Sequence, residues 1–423
     1  MPMRLAFLSL LGTAALSTTI GAHAQPVAAA TDAPPSRNLL AELHPLPNDL
    51  ARHQYLQAHM PADDDNVARQ VLAALDDQLG LYNRALADFP FDNRVVPPPK
   101  VPLPATDAWR AESAVAAIAA RAQGRRIVMI NEAHHDAHTR ELTLELLPKL
   151  YAHGFRYLAI EALGPRDKAL ARRGYAIDTS GSSYLREPLY GEIVRQALRL
   201  GYTLVSYDSD APTPAGRESG QARNLYREVF ARDPRARLLV HAGYAHVDEA
   251  PGNLGDTIEP MAMQLARLTG LDPLTVDQTQ FRDIIPGAPD DGAYGVLVER
   301  FHPRTPVVLV NRLTDKLWSA DPARHDISVI LPRAGTGPRP DWLSLGGRRK
   351  PRLVNTDLCN GHVPCMVEAR YAGEAGDAVP ADRYTFLHED TQNTLYLYPG
   401  QYRLRAVDAA GHVLGTRTLD VGH

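Results

Sequence analysis

The chain has 423 residues, a length that at roughly 100–200 residues per domain favours two or three domains. Apolar residues make up 44% and charged residues 22%, close to the globular average, which excludes a mostly disordered chain and a polytopic membrane protein. Lys and Arg total 45 against 49 Asp and Glu, a formal net charge of -4, and so balanced a surface offers no counterion-release drive, so no nucleic-acid partner is expected.

Residues 1–24 read as a secretory signal: Arg4 gives the positive start, Leu5 to Gly21 the apolar run, and Ala22-His23-Ala24 the small-x-small cleavage site. No Cys follows that run, so no lipoprotein anchor is expected, and no later stretch approaches the roughly 20 apolar residues of a spanning helix. The mature chain is expected in the periplasm or the medium. Residues 25–37, rich in Ala, Pro, Ser and Asp, have the character of a flexible mature N-terminus. Residues 38–104 form the next unit. Val67, Val71, Leu72, Leu75 and Leu79 recur at helical spacing, and the run Val96-Pro97-Pro98-Pro99-Lys100-Val101-Pro102 forbids helix and marks a linker.

From 105 to 334, β-rich runs alternate with helical patterns, which predicts an α/β domain with a mostly parallel sheet flanked by helices. The strand candidates are Arg126 to Asn131, Tyr157 to Glu161, Thr203 to Tyr207, Leu238 to Ala242 and Val307 to Val310. Continuous apolar runs such as Ile127-Val128-Met129-Ile130 suit strands covered on both faces. Between the first two strands, Leu142, Leu146, Leu147 and Leu150 predict a helix with Asp136 near its start and Gly154 at its end. Residues 335–423 change to short alternating strands separated by Pro399-Gly400 and Ala410-Gly411 turns, and predict a small β-sandwich. That domain is expected to dock a protein or glycan. Cys359 and Cys365 are the only cysteines, and an oxidising compartment favours a local disulfide between them; His362 would complete only three ligands, a poor zinc site.

Three strand ends terminate in ionisable groups: Asn131-Glu132-Ala133-His134-His135, Glu161, and His241-Ala242-Gly243-Tyr244-Ala245-His246. In open α/β sheets the carboxyl ends of parallel strands meet at one crevice. An imidazole can take a proton from water while a carboxylate orients it, roles that suit His134 and Glu132. Glu161 and His246 can position that water or steady charge on a carbonyl oxygen. The same four side chains, Glu132, His134, Glu161 and His246, are also a divalent-metal set, for zinc or manganese. Around them His135, Arg217, Glu218, His241 and Tyr244 are candidate substrate-binding residues.

Taken in order, Glu132-Ala133-His134, Tyr157-Leu158-Ala159-Ile160-Glu161 and Gly243-Tyr244-Ala245-His246 resemble the erythromycin-esterase-like and Tiki/ChaN-like superfamily, with Arg217-Glu218 and Asn224 similar to the helix before the last motif. Asn131 stands where that family usually has Gly. The resemblance implies an α/β fold and a site built on Glu132, His134, Glu161 and His246. It also implies one of several activities: a macrolide-type esterase with a His-activated water, a metal-dependent protease, or a haem-binding uptake protein. The expected activity is therefore hydrolysis of an ester or amide bond in a small-molecule or peptide substrate. The alternative is a periplasmic haem- or iron-binding protein using the same crevice, with Tyr244 and Tyr207 as supporting ligands.

Overall fold

A computed structural model describes residues 39–60, 66–389 and 391–422. The signal sequence and the segment 25–37 lie outside the described residues. The large sheet draws its strands from between residues 109 and 330: β1 Trp109–Ser113, β2 Ile127–Glu132, β3 Tyr157–Ile160, β4 Thr203–Ser206, β5 Leu238–Gly243, β6 Leu274–Phe281, β7 Val307–Asn311 and β8 Ile327–Ile330, in the order β1-β7-β8-β6-β2-β5-β3-β4. The run from β8 to β4 is parallel, and β7 and β1 close one edge antiparallel. The predicted parallel α/β sheet is present.

Alternate residues of each central strand face opposite layers. Val128 and Ile130 of β2 join a core with the helices at Ala114–Ala122, His138–Ala152 and Pro188–Leu200. Ile127 and Met129 join another with the helices at Pro214–Leu225 and Met261–Thr269. The helix after β2 therefore lies on one face and the helix after β5 on the other, although the two strands are neighbours. That divergence opens the crevice of a doubly wound sheet at their carboxyl ends.

Several strands escape sequence reading for identifiable reasons. β6, Leu-Thr-Val-Asp-Gln-Thr-Gln-Phe, is polar at its carboxyl end, while β1 is a charged edge strand and β8 has only four residues. The helix expected after β2 runs His138–Ala152. Asp136 accepts the His138 amide at 3.2 Å, and Gly154 follows the last turn at φ +87°.

The C-terminal region forms a four-stranded antiparallel sheet facing a two-stranded one, Lys350–Asn355 with Gln392–Leu397. Val354, Leu395 and Leu397 pack against Val367, Ala369, Leu404 and Ala406, as a small sandwich requires. Cys359 and Cys365 are joined. The sandwich is fastened to the rest of the chain by buried polar bonds: Arg383 donates to the carbonyl of Gln78 at 2.8 Å, and Arg195 pairs with Glu374 at 2.6 Å. The N-terminal helices lie between sandwich and sheet. Leu50, Leu79 and Leu81 meet Met366 and Val407 on one side, while Tyr82 enters the core of the large sheet on the other. Among the described residues no helix is long and apolar enough to cross a membrane.

Candidate active site

Parallel register brings the candidate residues together. Glu132 pairs with Gly243 across β2 and β5, and Ile160 pairs with His241 across β3 and β5, so Glu161 follows at the same rim. Glu132 is fully buried. Its Oε1 accepts from Tyr190 at 2.7 Å and lies 3.0 Å from His134 Nδ1; its Oε2 accepts from Arg140 Nε at 2.8 Å. Burial alone would raise the pKa of this carboxyl, but the Arg140 guanidinium and the His134 and His241 imidazoles hold it well below the usual carboxylate range. A carboxylate at His134 Nδ1 selects the tautomer that leaves a lone pair on Nε2.

The His134 ring is stacked on Tyr184 at 4.3 Å and meets Tyr244 edge-on at 5.2 Å. Beneath it the chain is bare. A Cβ on Gly243 would sit 2.4 Å from His134 Nε2 and 3.2 Å from Glu161 Oε2, so the imidazole and the second carboxylate face the same point above this backbone. The next residue, Tyr244, takes φ +43°, a conformation costly for a bulky side chain. That turn aims its ring at His134 and its hydroxyl at His135 Nδ1, 3.0 Å away.

Glu161 accepts from Arg217 at Oε1, 2.6 Å, and from the Gly243 amide at Oε2. The arginine partner that a carboxylate closing an apolar strand demands is therefore Arg217. His246 lies 3.5 Å from Glu161 through Nε2 and 2.7 Å from Glu218 through Nδ1. Burial works against charge on this ring, but Glu218 and Glu161 push its pKa up to about 10, so it is an imidazolium at neutral pH. Arg217 Nη1 lies 2.9 Å from His246 Nε2; Glu161, Glu218 and Asp208, the last 2.8 Å from Arg217, hold the two cations side by side. Glu161 is kept well below the carboxylate range, against its burial, by His246, Arg217 and His134. Thr213 caps the helix that carries Arg217 and Glu218 by accepting from the Gly216 amide, with Pro214 at its first turn.

His135, His241 and Glu218, expected to bind substrate, are buried beneath the rim. His135 is packed on Phe89 at 3.5 Å, and burial together with Arg282 holds its pKa well below the usual imidazole value. His241 sits between Thr143 at 2.8 Å and Glu132 at 3.4 Å. Glu218 is divided between His246 and the Met261 amide. They support the site from within, whereas His134 and Arg217 keep 17% and 14% of their side chains exposed. Asn131 turns its side chain to β6, donating to Asp277 at 2.7 Å and accepting from the Gln278 amide at 2.8 Å.

Of the zinc or manganese set, Glu132, His134, Glu161 and His246 all lie at this rim, and both oxygens of Glu132 and of Glu161 already accept hydrogen bonds. Among the described residues no group of three or more His, Cys, Asp or Glu side chains is disposed to hold a metal ion.

Sequence reasoning missed the structure behind Glu132. Arg140, fully buried, bonds Asp77 at 2.6 Å and lies 3.2 Å from Glu187 as well as holding Glu132. Asp77 comes from the N-terminal helix Asn66–Gln78 and also accepts the Ala137 amide at 3.0 Å. Glu187 caps the helix Pro188–Leu200 and accepts from Tyr82 at 2.9 Å. The only local signal was Glu187-Pro188, an acid before a first-turn proline. Burial pushes the Asp77 carboxyl up to about 8, Arg140 opposing and Glu187 reinforcing the rise. Folding thus strengthens proton binding at Asp77. Its contribution to stability is fully present below the ordinary value of 3.8 and is lost as pH rises through about 8. The stability of wild type relative to Asp77→Asn is therefore expected to fall steadily as pH rises from 4 to 9. Urea unfolding of both proteins across that range checks it, and a difference that does not change with pH would contradict it.

No family model matches the chain, and no curated protein matches it. Among solved structures it is similar to the type III effector HopBA1, with 15% identity over 58% of this chain and 100% of that chain and a TM-score of 0.33. It is also similar to RRSP, a MARTX toxin effector domain from Vibrio vulnificus CMCP6, with 16% identity over 53% of this chain and 51% of that chain and a TM-score of 0.28. A structure described as bacterial protein toxins gives 17% identity over 53% and 43% with a TM-score of 0.26. The chain spans about half the length or less of the latter two. Likenesses this loose carry no argument about activity.

Proposed function

We propose that the protein is an exported hydrolase of an ester or amide bond that works without a metal. The observation that carries the reading is the Glu132–His134 pair, with Nδ1 on the carboxylate and Nε2 packed over the Gly243 backbone close to Glu161. A water bound between His134 and Glu161 would donate one hydrogen bond to Glu161 and lose its other proton to His134 Nε2 as its oxygen attacks the carbonyl carbon. Charge developing on the carbonyl oxygen would meet the part-exposed guanidinium of Arg217, with His246 behind it. The proton on Nε2 then passes to the leaving oxygen or nitrogen. Glu132 remains ionised throughout and stabilises the imidazolium.

The motif order Glu132-x-His134, Glu161, Gly243-x-x-His246 supports a place in the erythromycin-esterase-like and Tiki/ChaN-like superfamily. The signal-like first 24 residues and the Cys359–Cys365 disulfide support export to the periplasm or medium. Substrates would be small molecules or peptides, and the sandwich would dock a protein or glycan.

Purified mature protein is expected to turn over members of a panel of nitrophenyl esters and anilides at rates unchanged by EDTA or 1,10-phenanthroline. Activity abolished by chelation would overturn the metal-free mechanism. Absence of turnover on every ester and anilide would overturn the hydrolase reading.

A further inference from the structure

A cavity of about 640 Å³ opens where β2 and β6 end, within the size range of small-molecule sites. It shares Tyr244 with the site above, the residue whose ring meets His134 edge-on. Asp277, on its wall, is almost wholly buried. Its Oδ1 takes hydrogen bonds from Asn131 at 2.7 Å and from the amide and hydroxyl of Thr279 at 3.1 and 2.8 Å. Its Oδ2 has no hydrogen-bond partner among the described residues. An unmatched oxygen of a buried carboxylate is costly and calls for a donor, best a cation.

Three cations line the same wall: Arg94 donates to the Ala87 carbonyl, and the other two are paired with carboxylates. His325 is 2.8 Å from Asp248, and Arg282 is 3.0 Å from Asp136. Where the proline-rich strap crosses the mouth, Val95 and Val96 are exposed, and Ile258 and Ile284 line the cavity beside the polar Asn93, Asp256 and Thr257. A buried carboxylate oxygen without a hydrogen-bonded donor, beside Val95, Val96 and Ile258, suits an apolar body ending in a protonated amine.

We propose that this cavity binds an alkyl or aralkyl ammonium, with the ammonium paired to Asp277 and the apolar chain against Val95, Val96 and Ile258. The binding site stands apart from the hydrolase reading; only the further step, that the bound amine is the substrate presented to His134, rests on it. Asp277→Asn is the informative change, because the amide keeps an Oδ1 acceptor for Asn131 and Thr279 and removes only the charged, unmatched oxygen.

Calorimetric titration with octylammonium chloride, and with octan-1-ol as the neutral counterpart, tests the proposal. Octylammonium is expected to bind wild type, to bind folded Asp277→Asn at least tenfold more weakly, and to bind wild type at least tenfold more tightly than octanol does. Ile258→Trp, which fills the cavity and leaves the carboxylate alone, is expected to abolish binding and decides the matter if Asp277→Asn does not fold. His134→Ala is expected to bind octylammonium like wild type, so a protein that binds the amine and hydrolyses nothing would keep this site and lose the catalytic one. No binding to wild type, equal affinity in Asp277→Asn or Ile258→Trp, or equal affinity for octanol would overturn the proposal.

Discussion

His134→Ala is expected to lower hydrolytic turnover about 10²–10⁴-fold, the usual contribution of a positioned general base, while leaving the folded structure intact. The side chain is part-exposed, its recorded polar bond is to Glu132, and it otherwise stacks on Tyr184 and Tyr244. Its loss strands nothing, because Glu132 keeps Arg140 and Tyr190. The contrast with His246 is instructive. That imidazole lies between two carboxylates and is charged at neutral pH, so its Ala variant would leave Glu161 and Glu218 short of a cation and lose stability as well as activity. Steady-state rates on whichever ester is turned over, with circular dichroism of the same preparations, separate the two cases. A His134→Ala protein with wild-type turnover would remove the proposed base.

The division between the two histidines could not be read from the chain. Glu-x-His after an apolar run and Gly-x-x-His after another both announce imidazoles near carboxylates, and parallel-strand convergence was enough to place Glu132, His134, Glu161 and His246 at one rim. The raised pKa of His246 depends on Glu218, twenty-eight residues earlier in the chain, and the place of Glu132 on the register that sets it beside Gly243. Of the strands that were legible, β2, β3, β4, β5 and β7, the central β2, β3 and β5 are apolar because both faces are covered. β6 was not, since Asp277, Gln278 and Thr279 serve the rim polar bonds and break the apolar pattern. The N-terminal helices read as a plain amphipathic cap. Asp77 sits in that pattern as an ordinary acid, and nothing near it in sequence reveals that its partner is Arg140, sixty-three residues on.

Arg140→Leu is expected to cost about 3–5 kcal/mol of stability, the range for breaking one side of a buried ion pair. The guanidinium is fully buried, bonds Glu132 and Asp77, lies 3.2 Å from Glu187, donates to the His134 carbonyl at 3.0 Å, and lies 4.7 Å over the Tyr190 ring. Removing it leaves carboxylates from three elements facing an apolar side chain. Asp77 can escape by keeping its proton, since burial already raises its pKa to about 8. Glu132 then becomes the group to change. Without the guanidinium that opposes its burial, its carboxyl should rise and take up a proton, and the acceptor that holds His134 in the productive tautomer weakens. Activity and stability should therefore fall together in Arg140→Leu, unlike in His134→Ala. The cost should shrink in the double variant Arg140→Leu with Asp77→Asn, because one of the stranded acids is already neutral. Urea midpoints for the four proteins of that cycle test the coupling. An Arg140→Leu protein as stable as wild type, or a double variant whose losses simply add, would mean that the buried guanidinium does not join the N-terminal helix to the catalytic carboxylate.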